Sequence, residues 1–146
     1  MSRPGPSSPT EMHRITPRTR LSIRIDSEFG CKIETKQIVL LETIQAQGSI
    51  SRAAQFLSLS YRGTQKLIEV INTGLGEPAV STVSGGRTGG GAALTPIGIQ
   101  LVELYRAIEA RAQAVALPER EALHSLMRPK KYPPIKRVRL KRFGSF

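Results

Sequence analysis

Apolar positions first recur with a period of two. Leu21-Ser22-Ile23-Arg24-Ile25 alternates apolar and polar, the pattern of a half-buried strand. Asp26-Ser27-Glu28-Phe29-Gly30 interrupts it as a turn, and Cys31 and Ile33 continue as an extended segment. From Lys36 the spacing becomes helical. Ile38, Leu41 and Ile44 share one face, Val39 and Leu40 widen it, and Thr35 is placed to cap the helix. Gly48 stands where a helix end favours glycine. Two short helices follow. The first takes Ser49 or Ser51 as its N-cap and runs on through Arg52-Ala53-Ala54-Gln55-Phe56-Leu57; the second starts after Ser60 and puts Leu67, Ile68 and Ile71 on one face. Only Ser58-Leu59 separates them, which forces a sharp angle, and Ala53 and Ala54 are small where the helices must approach. This is the pattern of a helix-turn-helix, although a plain helical hairpin shares its caps and stripe.

Gly74 to Pro78 reads as a turn, Ala79 to Val83 as a short strand, and Gly85 to Gly91 as a loop with five glycines in seven residues. Ala93-Leu94 forms a returning strand, so a β-hairpin, or wing, stands directly after the second short helix. Thr95 then caps a long helix with Pro96 at its first position. Ile97, Leu101, Leu104, Tyr105, Ile108, Ala112 and Val115 make one stripe over about five turns. Its first turns can serve the domain core. The remainder wants a partner, and the same helix of a second subunit is the economical one, giving a two-fold dimer. Glu119 to Met127 could form one more short helix.

Charge changes this picture only at the ends. The chain of 146 residues carries a formal +11. Residues 1–20 hold four Lys/Arg against one Glu, residues 119–146 nine against two, and residues 21–118 nine against eight Asp/Glu. The folded centre is therefore almost neutral and the excess lies in the tails. Pro4, Pro6, Pro9 and Pro17 mark residues 1–20 as a disordered arm; residues 21–117 read as the domain with its long helix, and 118–146 as a basic tail. The tails can neutralise phosphates, which adds salt-sensitive affinity without sequence preference, or can simply be solvated. A single cysteine, Cys31, excludes an intrachain disulfide and suits a reducing compartment. No apolar run approaches a membrane span and the N-terminus lacks a signal-peptide centre, so a cytoplasmic protein without membrane contact is expected. His13 and His124 have no evident nucleophile or metal-ligand partner. The glycine loop lacks the Gly-Lys-Ser/Thr ending of a phosphate-cradling loop. No enzyme, metal or bound cofactor is expected.

In a helix-turn-helix the first turns of the second helix face base edges in the major groove of duplex DNA. That assigns Ser60, Tyr61, Arg62, Gln65 and Lys66 to the interface. Ser60 can donate to a phosphate, and Tyr61 can contact the backbone or a thymine methyl. Arg62 can read guanine or bind phosphate, Gln65 suits adenine, and Lys66 suits phosphate or guanine. Arg62 and Lys66 could equally be solvated helix charges. Thr64 and Leu67 are expected to pack against the first helix. Arg87, at the wing tip, is a phosphate or minor-groove candidate.

Ser51 to Ile68, SRAAQFLSLSYRGTQKLI, resembles the helix-turn-helix of LysR-type regulators. The wing, SGGRTGGGAALTPIG, more closely resembles that of the molybdenum-dependent ModE-type regulators. Ser60-Tyr61, Gly48 to Ser51 and Leu104-Tyr105 add to this likeness, which covers about residues 21–115. The resemblance implies a mainly α fold with a small β-wing: a winged helix-turn-helix dimerising through its long C-terminal helix. It also implies control of molybdate-transport or molybdoenzyme genes. Family members carry C-terminal molybdate-binding modules, for which the chain up to Phe146 leaves no room, so the family effector, molybdate, is expected to have no site here. The family's Ala-Trp pair in the recognition helix is replaced by Thr64-Gln65 after Gly63, so the preferred DNA sequence is expected to differ. The functional alternatives are a winged helix that docks on another regulator and a nonspecific nucleic-acid compactor driven by the tails.

Overall fold

The structure, a computed structural model, describes residues 19–84 and 90–127. In chain order they form β1 (Arg24–Asp26), β2 (Lys32–Glu34), α1 (Thr35–Gln47), α2 (Ile50–Phe56), α3 (Tyr61–Leu75), β3 (Val80–Val83), β4 (Gly91–Leu94), α4 (Pro96–Val115) and α5 (Leu117–Leu126). The protein is mainly helical with two small antiparallel sheets, a winged-helix-like arrangement. It divides into two units. Arg20–Leu117 carries β1 to α4. In the other, the described residues are Thr19 and Pro118–Met127, where the Thr19 hydroxyl donates to the Arg120 carbonyl at 3.3 Å and the Arg120 guanidinium donates to the Thr19 carbonyl.

Within Arg20–Leu117, α1 is central. It touches α2, α3, α4, β2 and β4. Ile38, Leu40, Leu41 and Ile44 are wholly buried. A helix covered on several sides needs apolar residues beyond a single stripe, which explains the run Ile38-Val39-Leu40-Leu41. Its N-cap is Glu34 rather than Thr35, with the Gln37 side-chain oxygen accepting the Glu34 N–H at 2.9 Å. Thr35 is instead the first helical residue, and its hydroxyl meets the Tyr105 hydroxyl at 2.8 Å. At the other end Gly48 takes φ 67°, a left-handed conformation costly for residues with a Cβ.

β1 and β2 pair antiparallel with Ile25 opposite Ile33. The strand expected from Leu21 is paired only from Arg24. Ahead of it the chain stays extended because α4 side chains satisfy its backbone: Gln113 holds both the Leu21 N–H (3.3 Å) and carbonyl (2.8 Å), and the Tyr105 hydroxyl donates to the Ile23 carbonyl at 2.8 Å. Thr95 caps α4 and Pro96 opens it, as the sequence predicts.

The α4 stripe is divided, not continuous. Gly98, Tyr105 and Glu109 are buried within the unit, with Leu101 and Val102 packed beside them. Leu104, Ile108 and Val115 remain 56%, 46% and 80% exposed. Spacing alone put Tyr105 in one stripe with Leu104 and Ile108; its hydrogen bonds to Ile23 and Thr35 belong to the inward face.

Candidate nucleic-acid interface

The turn between α2 and α3 is built by backbone hydrogen bonds. Ser49 caps α2, its hydroxyl oxygen accepting from the Arg52 N–H at 3.3 Å. At the far end the Leu59 N–H reaches the Ala54 carbonyl (2.8 Å) and the Ser58 N–H the Gln55 carbonyl (3.1 Å). That pair of bonds defines a Schellman ending, which requires a left-handed residue, and Ser58 supplies it with φ 55°. Ala53 and Ala54 are buried where the helices meet.

Ser60 caps α3, its hydroxyl oxygen accepting the Gly63 N–H at 3.0 Å, and still has its own proton to donate. A Cβ on Gly63 would come within 2.9 Å of that oxygen, so glycine here preserves the cap. Thr64, Ile68 and Ile71 bury one face of α3, and Leu67 is partly buried against the core.

The other face is open. Ser60, Tyr61, Arg62 and Lys66 are exposed and Gln65 is partly so. The Gln65 amide donates to the Tyr61 hydroxyl at 2.8 Å. This bond orients both side chains and leaves Gln65 one N–H and its carbonyl oxygen, still sufficient for the donor and acceptor of an adenine edge. Among the described residues Arg62 and Lys66 make no ion pair or side-chain hydrogen bond. Arg87 lies outside the described residues.

The base of the wing is tied to the same framework. Val80 pairs with Leu94 and Val83 with Gly91 across β3 and β4. Ala92 N–H donates to the Gly48 carbonyl and Leu94 N–H to the Gln45 side chain, both at 2.8 Å. Asn72, near the end of α3, accepts the Ala79 N–H at 2.8 Å. The ribbon is therefore anchored to the ends of α1 and α3, which fixes where the wing starts relative to α3.

Three contributors escaped the sequence reading. Arg52 is exposed in the first turn of α2 and unpaired among the described residues, on the helix that in this motif crosses the DNA backbone. Gln45 and Asn72 carry no signal in the spacing of the sequence; only the tertiary fold reveals what they hold. Elsewhere, Arg106 binds Glu42 through two hydrogen bonds of 2.7 Å and Glu109 through one of 2.6 Å. The hydrogen bond from Arg106 holds the Glu42 carboxyl below its ordinary range, and the Glu42 carboxylate pushes Arg106 up. Cys31 packs against α3 at Gly74, where an added Cβ would overlap its sulfur. Among the described residues no cluster of His, Cys, Asp and Glu could hold a metal ion, and no helix is long and apolar enough to cross a membrane.

A helix-turn-helix whose second helix is followed by an antiparallel ribbon defines a winged-helix-like class. Known proteins narrow this. The chain is 41% identical over 90 residues to the molybdenum transport protein ModE of Azotobacter vinelandii, covering 62% of this chain and 33% of that protein. It is 31% identical over 102 residues to the molybdenum transport protein ModE of Herbaspirillum seropedicae, covering 70% and 35%. It is 36% identical over 72 residues to the DNA-binding transcriptional dual regulator ModE of Escherichia coli K12, covering 49% and 28%. No family model matches the chain. The chain is related to the ModE-type molybdenum regulators, and it spans about a third of the length of the curated relatives it matches.

Proposed function

We propose that this chain binds duplex DNA sequence-specifically as a homodimer and regulates transcription of molybdate-transport or molybdoenzyme genes. The observation that carries this is the two-sidedness of α3. One face is locked into the core by Thr64, Ile68 and Ile71, while Tyr61, Arg62, Gln65 and Lys66 stand outward with both cations uncommitted among the described residues. A helix so held can enter a major groove without rearrangement. The names of the relatives, a DNA-binding transcriptional regulator and molybdenum transport proteins, support the same reading.

In this reading Arg62 and Gln65 read base edges, Lys66, Ser60 and Arg52 hold phosphates, and Arg87 of the wing adds a further contact assigned on sequence grounds. The exposed apolar face of α4 pairs with its copy in the second protomer. The neutral centre and basic tails divide the work: α3 supplies sequence preference, and the tails add affinity that falls with salt.

The test is selection of bound duplexes from random DNA with the full chain. An inverted repeat is expected, with half-sites about one helical turn or a multiple of it apart. Arg62→Ala with Lys66→Ala should then weaken binding to the selected site by on the order of 100-fold and make the salt dependence shallower by roughly two phosphate contacts. Recovery of no consensus would overturn the reading in favour of a module that docks on another regulator.

A further inference from the structure

The proposed DNA face carries one acidic side chain. Glu69 lies on α3, one turn beyond Gln65 and Lys66, and is exposed. At about 100° per residue it falls near the middle of the arc that runs from Tyr61 to Lys66. Among the described residues it makes no ion pair and no side-chain hydrogen bond, not even with Lys66 one turn before it. With Lys66, Val70 and Thr73 it lines a groove closed on its other side by Phe29 and Gly30 of the β1–β2 turn.

A free carboxylate in the middle of a face directed at a polyanion demands an account. Phosphates repel it. Guanine offers the major groove two acceptors, and thymine an acceptor and a methyl group, so both repel or ignore it. Adenine offers a donor beside an acceptor. Cytosine alone offers its N4 amino donor with no neighbouring acceptor on the same base. We infer that Glu69 is a specificity-determining residue that accepts a hydrogen bond from a cytosine amino group and selects against the other bases at that position. The inference rests on the DNA-binding reading above and deepens it.

Geometry locates the cytosine. Glu69 is about 6 Å further along the α3 axis than Gln65, at 1.5 Å per residue. Base pairs rise about 3.4 Å along the duplex axis. The position read by Glu69 therefore lies one or two base pairs from the position read by Gln65, on the side toward the α3 C-terminus.

The experiment is duplex selection followed by affinity measurements on single-position variants of the selected site, using the full wild-type chain, Glu69→Ala, Glu69→Gln and Gln65→Ala. The wild-type should prefer cytosine at one position per half-site by about 10-fold or more. Glu69→Ala should remove that preference and leave the others, and Glu69→Gln should shift it toward adenine. Gln65→Ala should relax a position within two base pairs of it. Glu69 is exposed, so circular dichroism and the melting temperature should be unchanged in Glu69→Ala and Glu69→Gln. If the wild-type selects a clear repeat but Glu69→Ala keeps every base preference, the inference fails while the DNA-binding reading stands. If the wild-type selects nothing, both fail.

Discussion

Glycines that look alike in the sequence do different work. Gly98 lies where α4 crosses the start of β3: a Cβ there would overlap the Ala79 carbonyl oxygen and meet its carbon at 3.1 Å. That obstacle is backbone, held by the Thr95 N–H on the same carbonyl at 2.9 Å, and cannot swing aside. Gly98→Ala should therefore destabilise the fold by roughly 2 kcal/mol, despite the better helix propensity of alanine, and lower the Tm by on the order of 10 °C in a thermal melt. Gly63 is the contrast. Its obstacle is a hydroxyl that can rotate, so Gly63→Ala should gain about 1 kcal/mol of helix propensity and lose about 1 kcal/mol of cap, leaving the Tm almost unchanged. Helical spacing cannot separate these cases, because the difference lies in what stands opposite each glycine.

At the scale of elements, α1 and α4 are held together by the Glu42–Arg106 ion pair, which Glu109 braces from within α4, as well as by apolar packing. Glu42 is held below its ordinary 4.5 by the hydrogen bond from Arg106. Between the two values the unfolded chain binds more protons at this site than the folded one. Its contribution to stability is complete above the ordinary glutamate pKa and is lost as pH falls through the lowered folded value. Urea midpoints measured down the acid range should fall less steeply for Glu42→Gln than for the wild-type, while above pH 6 the variant should be the weaker protein. Equal slopes for the two would sink this assignment. The raised Arg106 titrates too far into alkali to matter in this range.

The whole molecule turns on the division of α4 between two audiences. Gly98, Tyr105 and Glu109 face the unit's own interior, and Leu104, Ile108 and Val115 face outward. If the outward line is the proposed dimer seam, Leu104→Asp with Ile108→Asp should give a monomer by sedimentation equilibrium with helical content retained, because neither residue supports the interior. Affinity for an inverted repeat should drop by 100-fold or more, while binding to a single half-site stays at its own weak level. A variant that remains dimeric would place the contact elsewhere.

The sequence by itself determined the helices, their order and the caps at Ser60, Thr95-Pro96 and Gly48, because spacing and these residues act through local backbone chemistry; it left Ser49 and Ser51 as alternatives, and the fold chose Ser49. It also nominated the exposed face of α3, since four of the apolar and small side chains between Gly63 and Ile71 fall on the opposite side. The tertiary structure alone decided which of two neighbouring residues, Leu104 or Tyr105, is buried, and that Thr35 bonds to Tyr105 instead of capping α1. It alone tied Leu21 to Gln113, Leu94 to Gln45 and Ala79 to Asn72. These are contacts between residues distant in the chain or across a turn, and a local pattern carries no information about which polar groups will meet once the core has brought their elements together.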